Sequence, residues 1–272
     1  MTQRQTFSFG KNWQKFLKGF DEERVKIAER SLTEFLNLPD LRGKSFLDIG
    51  SGSGLFSYAA LNLGATRIVS FDVDAFSVQC CRYLHSLANN PANWEIYEGS
   101  ILDKTFLDSL GSFDIVYSWG VLHHTGKMWE SIVNSCELVA PHGYYYIALY
   151  NKVTSRNGAP SWIHPFWLSV KRLHNAHPAL GRYVLEPAAM AAYAMLVMAR
   201  LENPAKHVRN YRSNRGMSWG TDAADWLGGY PYEFATVEEV FKFIKEKFPD
   251  FNLINIKTTS GRGLNWYLFL RH

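Results

Sequence analysis

Short apolar runs alternate with amphipathic stretches along the first 150 residues of the chain. The runs are rich in β-branched and aromatic residues, which is typical of buried strands, and the stretches carry apolar residues at helical spacing. This alternation indicates a parallel sheet with right-handed helical crossovers. The predicted strands are 46–49, 66–72, 94–98 and 143–150, with a further strand and its exit loop at 112–124. The predicted helices are 55–63, 75–87 and 127–138, with a further helix capped by Asp21 ahead of the first strand.

The alternation fails between residues 151 and 234. Residues 162–174 form a helical stripe of apolar side chains with Lys171 and Arg172 on the opposite face. Residues 188–201 predict a second helix that is apolar on most sides. Its apolar part, 187–199, is too short to span a membrane, so we expect a buried helix, with an interfacial contact as the alternative. The two helices should cap the carboxyl end of the sheet, where the fifth strand delivers the chain.

The chain ends in the sheet. Residues 236–239 are a capping box that begins a helix, and this helix runs to Phe248. Strands follow at 251–259 and 265–270. The short turn between these strands requires an antiparallel pair. We therefore predict an α/β fold with a doubly wound, mostly parallel seven-stranded sheet, one antiparallel strand and a helical cap after strand five. The predicted units are an N-terminal arm and helix (1–40), a core (41–151 and 236–272) and an inserted helical and loop-rich cap (152–235).

Composition indicates the size of the core and the cellular compartment but does not indicate which reaction the protein catalyses. The 272 residues are 47% hydrophobic, enough for one large core, and nine tryptophans suggest an aromatic ligand pocket. The net charge of +4 makes no strong case for nucleic acid. Three cysteines form neither a disulfide framework nor a metal-binding spacing. The first ten residues lack the apolar segment of a secretory signal, so we expect a cytoplasmic protein without a membrane span.

The strongest local signal is an acid followed by alternating glycines after the first strand. Asp48 precedes Gly50-Ser51-Gly52-Ser53-Gly54, which reads as a tight turn leading into a helix. Glycines permit a sharp turn and the close approach of a ligand to backbone N–H groups. Asp72 ends the next strand, about 20 residues on, where a carboxylate can bind ribose hydroxyls. An acid beside the turn suits a cationic ligand better than a pyrophosphate.

Residues 47–54 and 71–74 resemble motifs I and II of class I S-adenosylmethionine-dependent methyltransferases, which have a Rossmann-like fold. The resemblance covers about residues 44–150. It implies S-adenosyl-L-methionine as cofactor and S-adenosyl-L-homocysteine as product, with the adenine beside the turn after the third strand and an N-terminal lid residue. The implied cofactor-binding residues are Asp48, Gly50, Ser51, Gly52, Asp72, Val73, Ser100, Ile101, Ser118, Trp119 and Trp13. The alternative for Trp13, the lid candidate, is an aromatic staple that packs onto the core.

The loop after the fourth strand carries His123 and His124 and resembles motif IV of the same family. Such loops face the transferable methyl group, and histidine is suited to proton transfer near pH 7. Because neighbouring residues on a helix point apart, at most one of the two should reach a substrate. We assign His124 as the base for a hydroxyl acceptor and His123 as the second candidate. No metal is expected, since Gly120 and His123 stand where metal-dependent relatives carry acids.

The inserted cap carries two further candidates for substrate contact. A basic cluster at Arg200, Lys206, Arg209, Arg212 and Arg215 could hold a phosphate, a carboxylate or RNA, or could simply be a solvated face. A loop-rich aromatic segment follows, and binding residues concentrate on such loops. The candidate substrate residues are Tyr150, Arg215, Trp219, Trp226, Tyr230 and Tyr232.

These features together predict a methyltransferase that acts on a small or medium-sized acceptor, with O-methylation slightly favoured. An RNA or tRNA methyltransferase that uses the basic cluster is the alternative within the same class, and nucleic acid is not the favoured partner. An NAD-dependent oxidoreductase is disfavoured by the glycine spacing. A non-catalytic cofactor-binding module is disfavoured by the two histidines.

Overall fold

The computed structural model describes residues 22–154, 161, 163–199, 227–261 and 263–272. Its centre is a seven-stranded sheet with the order β3-β2-β1-β4-β5-β7-β6. All neighbouring pairs are parallel except β5/β7 and β7/β6, so β7 is the one reversed strand. The predicted sheet is therefore confirmed. The strands are β1 (Ser45–Ile49), β2 (Arg67–Asp72), β3 (Trp94–Glu98), β4 (Phe113–Trp119), β5 (Val139–Tyr150), β6 (Phe251–Lys257) and β7 (Leu264–Arg271).

Helices cover both faces of this sheet. Two of them begin at caps that the sequence predicts: the Asp74 carboxylate accepts from the Phe76 amide, and Thr236 forms a complete capping box with Glu239. The helices are α1 (Glu22–Leu36), α2 (Leu55–Asn62), α3 (Ala75–Leu87), α4 (Lys104–Leu110), α5 (Met128–Glu137), α6 (Ile163–Ala176), α7 (Pro178–Leu180), α8 (Glu186–Ala199) and α9 (Val237–Lys247), with a 3₁₀ turn at Leu122–His124 and a π-helical turn at Gly181–Leu185.

The core lies in two layers because successive strand residues point to opposite faces. Phe46 and Ile68 pack with α1, α2 and α3 on one face, whereas Leu47 and Val69 pack with α4, α5 and α9 on the other. The strand order reverses between β1 and β4, which places a crevice at their carboxyl ends. The glycine turn after β1 and the histidine loop after β4 follow these strand ends, and Gly50 of the turn lies against Val121 of the loop.

Two boundaries differ from the sequence prediction. Strand β5 begins at Val139, four residues early, because Val139 pairs with Phe113 before a register shift interrupts the ladder. Helix α4 was not predicted. It is seven residues long, is capped by Asp103 and buries only Leu107 and Leu110, which is too few positions to show helical periodicity.

Two expectations about the inserted segment are wrong. Lys171 lies on the buried side of α6, with Nζ 4.8 Å from the centroid of the Tyr232 ring. The aliphatic stem of a lysine packs well in a core, and an aromatic face accepts its cation. Helix α8 was expected to be buried, yet most of its described side chains are exposed. No helix among the described residues has both the length and the apolar content needed to cross a bilayer.

Candidate active site

The glycine turn is held tightly against its neighbours. The amides of Gly50 and Ser51 both donate to the carbonyl of Phe71, at 2.9 and 3.1 Å. Gly50 has φ of +69°, and a Cβ there would lie 2.4 Å from Cγ1 of Val121. Gly54 has φ of +81°, and its Cβ would lie 2.7 Å from Sγ of Cys81. Glycine is therefore required at both positions by conformation and by space.

Asp72 is joined to this turn through its carboxylate. Oδ2 accepts from the amide of Gly52 at 3.0 Å, and Oδ1 accepts from the amide of Asp74 at 2.9 Å. Burial raises the pKa of Asp72 to about 6 despite these hydrogen bonds. Each oxygen keeps a second lone pair, so the carboxylate can still accept two hydroxyl donors. The structure thus brings together the glycine turn and the acid that the sequence assigned to a ribose.

Asp48 lies beneath the turn, at the end of a buried chain of hydrogen bonds. Its Oδ2 accepts from the hydroxyl of Ser57 at 2.5 Å, Ser57 contacts Ser70 at 2.7 Å, and Trp94 Nε1 donates to Ser70 at 2.8 Å. An indole can only donate and an ionised carboxylate can only accept, so in the ionised form of Asp48 the donors run from Trp94 towards Asp48. Burial, followed by the nearby charge of Asp72, raises the pKa of Asp48 to about 7.

The sequence did not reveal this chain of hydrogen bonds. Ser57 lies on α2, Ser70 on β2 and Trp94 on β3, so only the tertiary fold brings them together. A sequence signal exists in hindsight, because Ser70 is a polar residue inside an otherwise apolar strand. A buried hydroxyl of that kind must find a partner.

The remaining candidate cofactor-binding residues differ in how exposed their side chains are. Val73 is 68% exposed and Trp119 is 40% exposed, so both are accessible to a ligand. Ser100 Oγ accepts from the amide of Leu102 and keeps its proton for a further partner. Ser118 and Ile101 are buried, and the Ser118 hydroxyl donates to the carbonyl of Ile49 at 3.2 Å. Ser118 therefore ties β4 to β1. Trp13 lies outside the described residues.

His123 and His124 form the 3₁₀ turn beyond β4, with ring centroids 4.4 Å apart. His123 is fully buried and its Nδ1 accepts from the amide of Tyr150, so its proton is on Nε2, which has no hydrogen-bond partner among the described residues. Nδ1 of His124 lies 2.6 Å from the carbonyl of Pro231. A carbonyl only accepts, so His124 carries its proton on Nδ1 and a lone pair on Nε2.

Both imidazoles are neutral at physiological pH. Burial lowers the pKa of His123 far below its usual range. Burial and then the positive charge of Lys171 lower the pKa of His124 to about 3. The sequence predicted that both histidines lie in the loop after β4 but did not anticipate their low basicity, and their catalytic role stays a prediction.

The segment that precedes α9 is hydrogen-bonded to the histidine loop through Glu233. The amide of Glu233 donates to the carbonyl of His123, and Glu233 Oε2 accepts from the amide of Met128 at 2.9 Å. Burial raises the pKa of Glu233. Sequence reasoning missed this acid, because its partners lie more than 100 residues away.

Aromatic rings surround the same loop. Tyr150 lies 4.1 Å from His123 and 5.4 Å from Tyr232, measured between ring centroids. His164 from α6 accepts from the amide of Val153 at 2.7 Å and contacts the Tyr232 hydroxyl at 3.2 Å. The structure thus brings Tyr150 and Tyr232 together, and their contact with a substrate stays a prediction. Tyr230 is half-buried nearby, whereas Arg215, Trp219 and Trp226 lie outside the described residues.

Comparisons with known proteins agree with this geometry. The profile of a family described as a methyltransferase domain matches residues 40–175, half of the chain. The ubiquinone biosynthesis O-methyltransferase of Neisseria meningitidis is 32% identical over 114 residues, which cover 42% of this chain and 47% of that protein.

Two solved structures share the fold. The structure of PKMT2 from Rickettsia typhi in complex with AdoHcy superposes with a TM-score of 0.59 at 14% identity, covering 90% of this chain and 52% of that chain. Magnesium protoporphyrin IX methyltransferase from Synechocystis PCC 6803 with bound SAH superposes with a TM-score of 0.51 at 14% identity, covering 92% and 82%. The chain spans about half the length of the curated relatives that it matches.

Proposed function

The chain belongs to the methyltransferase domain family, and from this premise we propose that it transfers the methyl group of S-adenosyl-L-methionine to a small or medium-sized acceptor. O-methylation is the favoured chemistry, as in the Neisseria relative named for it. The three free cysteines are all buried, which supports a reducing, cytoplasmic setting.

The observation that carries the proposal is the pair of acids at the glycine turn, Asp48, which is buried, and Asp72, which is half-buried. When ionised, Asp48 and Asp72 place negative charge beside the glycine turn, where a ligand of this fold lies. A pyrophosphate would be repelled there, whereas the sulfonium and ammonium groups of S-adenosylmethionine would be attracted. The glycines at 50 and 54 let the turn pack directly against Val121 and Cys81, which holds the turn in place beside Asp72. The residues present therefore fit this cofactor.

The protein's part in the reaction is to position the cofactor and the acceptor and to exclude water. When bound, S-adenosylmethionine supplies an activated methyl group on a good leaving group, so in-line displacement needs correct alignment above all. Asp72 would hold the ribose, Asp48 would face the cationic end, and Ser100 would border the adenine. The cap, residues 152–235, and the rings of Tyr150 and Tyr232 would enclose the acceptor.

Proton removal from a hydroxyl acceptor falls to His124 in this scheme. Its hydrogen bond to Pro231 leaves the Nε2 lone pair as the accepting site, and its low pKa keeps that lone pair free of a proton throughout the neutral range. The same low pKa makes His124 a weak base. It would therefore accept the proton as the bond to the methyl group forms, when the acceptor oxygen is most acidic.

Calorimetry with S-adenosylhomocysteine and NADH tests the cofactor. We expect binding of S-adenosylhomocysteine alone, and we expect Asp72→Ala to weaken it by about tenfold or more, since two hydrogen bonds to a charged group are lost. Glu98→Ala, at the end of the neighbouring strand β3, is the matched control. Equal affinity for wild type and Asp72→Ala would remove the ribose assignment, and tighter binding of NADH would overturn the proposal itself.

A further inference from the structure

The segment from Pro178 to Ala199 is apolar and faces water. It comprises α7, the π-helical turn and α8, and among its described side chains only Gly181 and Val197 are buried. Tyr183 is 73% exposed, Met195 59% and Val184 52%. A surface helix normally presents polar side chains to water, and one that is apolar on all sides is normally covered.

The exposed apolar residues form one continuous strip. Successive members are separated by three or four residues and therefore lie on the same side of the segment. No charged residue occurs between positions 187 and 199. At 1.5 Å per residue the strip is about 30 Å long. Its members are Leu180, Val184, Ala188, Ala191, Met195 and Met198, all of them exposed.

The net charge of the sequence that contains this strip, together with two exposed arginines of the described residues, indicates the kind of partner. Residues 163–215 contain eight lysines and arginines against two glutamates, a net charge of +6, while the whole chain carries +4. The remainder of the chain is therefore slightly acidic. Arg172 and Arg182 are exposed beside the strip. A second copy of the chain would bring an equally positive surface and be repelled, whereas an anionic surface would be attracted.

We propose that the Pro178–Ala199 segment lies on the surface of an anionic lipid bilayer. The apolar strip would enter the boundary between headgroups and acyl chains, and the flanking arginines would contact the headgroup phosphates. The segment would rest on the membrane rather than cross it. Because α6 links this segment to Tyr232 through Lys171, such docking would place the cap and the candidate acceptor site beside the lipid phase.

Vesicle co-sedimentation of the full chain tests the proposal. Vesicles of phosphatidylcholine alone are compared with vesicles that contain phosphatidylglycerol, at low and high salt. We expect at least about tenfold stronger partition onto the anionic vesicles, reduced by salt. Met195→Glu combined with Met198→Glu should lower partition about tenfold or more, and Arg182→Glu about fivefold or more. Ile27→Glu, an equally exposed apolar position on α1, is the matched control and should bind like wild type.

Binding of S-adenosylhomocysteine by every variant shows that the core remains folded. The proposal is overturned if wild type ignores anionic vesicles, or if the double methionine variant binds them as wild type does. A dimer detected by light scattering that the double variant abolishes would identify a second copy as the partner instead. Salt-sensitive binding to an RNA oligonucleotide, without binding to vesicles, would identify the basic residues as an RNA surface.

Discussion

The chain of hydrogen bonds from Trp94 to Asp48 leads to a quantitative prediction for Ser57→Ala. The substitution removes the Ser57 hydroxyl, which donates to the Asp48 carboxylate at 2.5 Å. A hydrogen bond to a charged group contributes about 1.5–3 kcal/mol, and one pKa unit corresponds to about 1.4 kcal/mol. The pKa of Asp48, about 7 in the wild type, should therefore rise by about one to two units in the variant.

The sign of the effect follows from the charge of the ligand. A cationic cofactor binds the ionised form of Asp48, so affinity weakens as pH falls through the pKa of this group. At pH 7.5 about three-quarters of wild-type molecules would have Asp48 ionised, compared with about a quarter or fewer of Ser57→Ala molecules. Affinity for S-adenosylmethionine should then fall by about three- to twenty-fivefold at pH 7.5 and by less than about twofold at pH 9.5.

Titration calorimetry across pH 6 to 9.5 measures this directly. Ser135→Ala is the matched control, because Ser135 is also a buried helical serine but lies on α5 and bonds to the carbonyl of Ser131. The control should keep the wild-type pH profile. A Ser57→Ala profile that is displaced downwards equally at every pH would show general loss of structure and would refute the reasoning. Asp72 titrates near pH 6 in the same crevice and is unaffected by the substitution in this scheme.

Three further predictions concern the loop, the turn and the acids. His124→Ala should lower turnover by about 10² or more with S-adenosylhomocysteine affinity nearly unchanged, and unchanged turnover would exclude this histidine from the mechanism. Gly50→Ala should destabilise the fold by at least about 2 kcal/mol in urea denaturation, because the added Cβ meets Val121 in a left-handed conformation; a loss below about 0.5 kcal/mol would contradict the described turn. Asp48 and Asp72 have raised pKa values in the folded state, so their contribution to the stability of the ligand-free chain is present below pH 4 and is lost as pH rises through 6 to 7. Affinity for the cationic cofactor increases over the same pH range, because both acids become ionised. The rise in melting temperature on adding S-adenosylmethionine should therefore grow from pH 5.5 to 8, and a constant rise across that range would contradict these pKa directions.

Local sequence patterns were sufficient to predict most of the strands and helices of the fold. Strand β3 was predicted with its observed bounds, and Asp74 and the capping box at Thr236 begin their helices as expected. These strand bounds and helix caps depend only on residues close together in the chain, whose preferences for strands or caps can be read from the sequence. The reversal of β7 also followed from a local fact, the shortness of the turn before it.

Local patterns failed where burial depends on distant partners. The Lys171 position looked polar in its helix, yet Tyr232 from a separate part of the chain covers it. The apolar composition of α8 predicted burial, but helical periodicity does not say whether another element packs against a helix. The partners of Glu233 are likewise more than 100 residues away.

The sequence by itself determined the sheet, the glycine turn, the paired acids and the histidines beyond β4. Only the tertiary structure decided the chemical state of these groups: which nitrogen of each imidazole carries the proton, how basic His124 is, and which donors point at Asp48. The physical reason is that residue type sets which charges and hydrogen bonds are available, whereas pKa and tautomer depend on the burial and neighbours that the completed fold imposes.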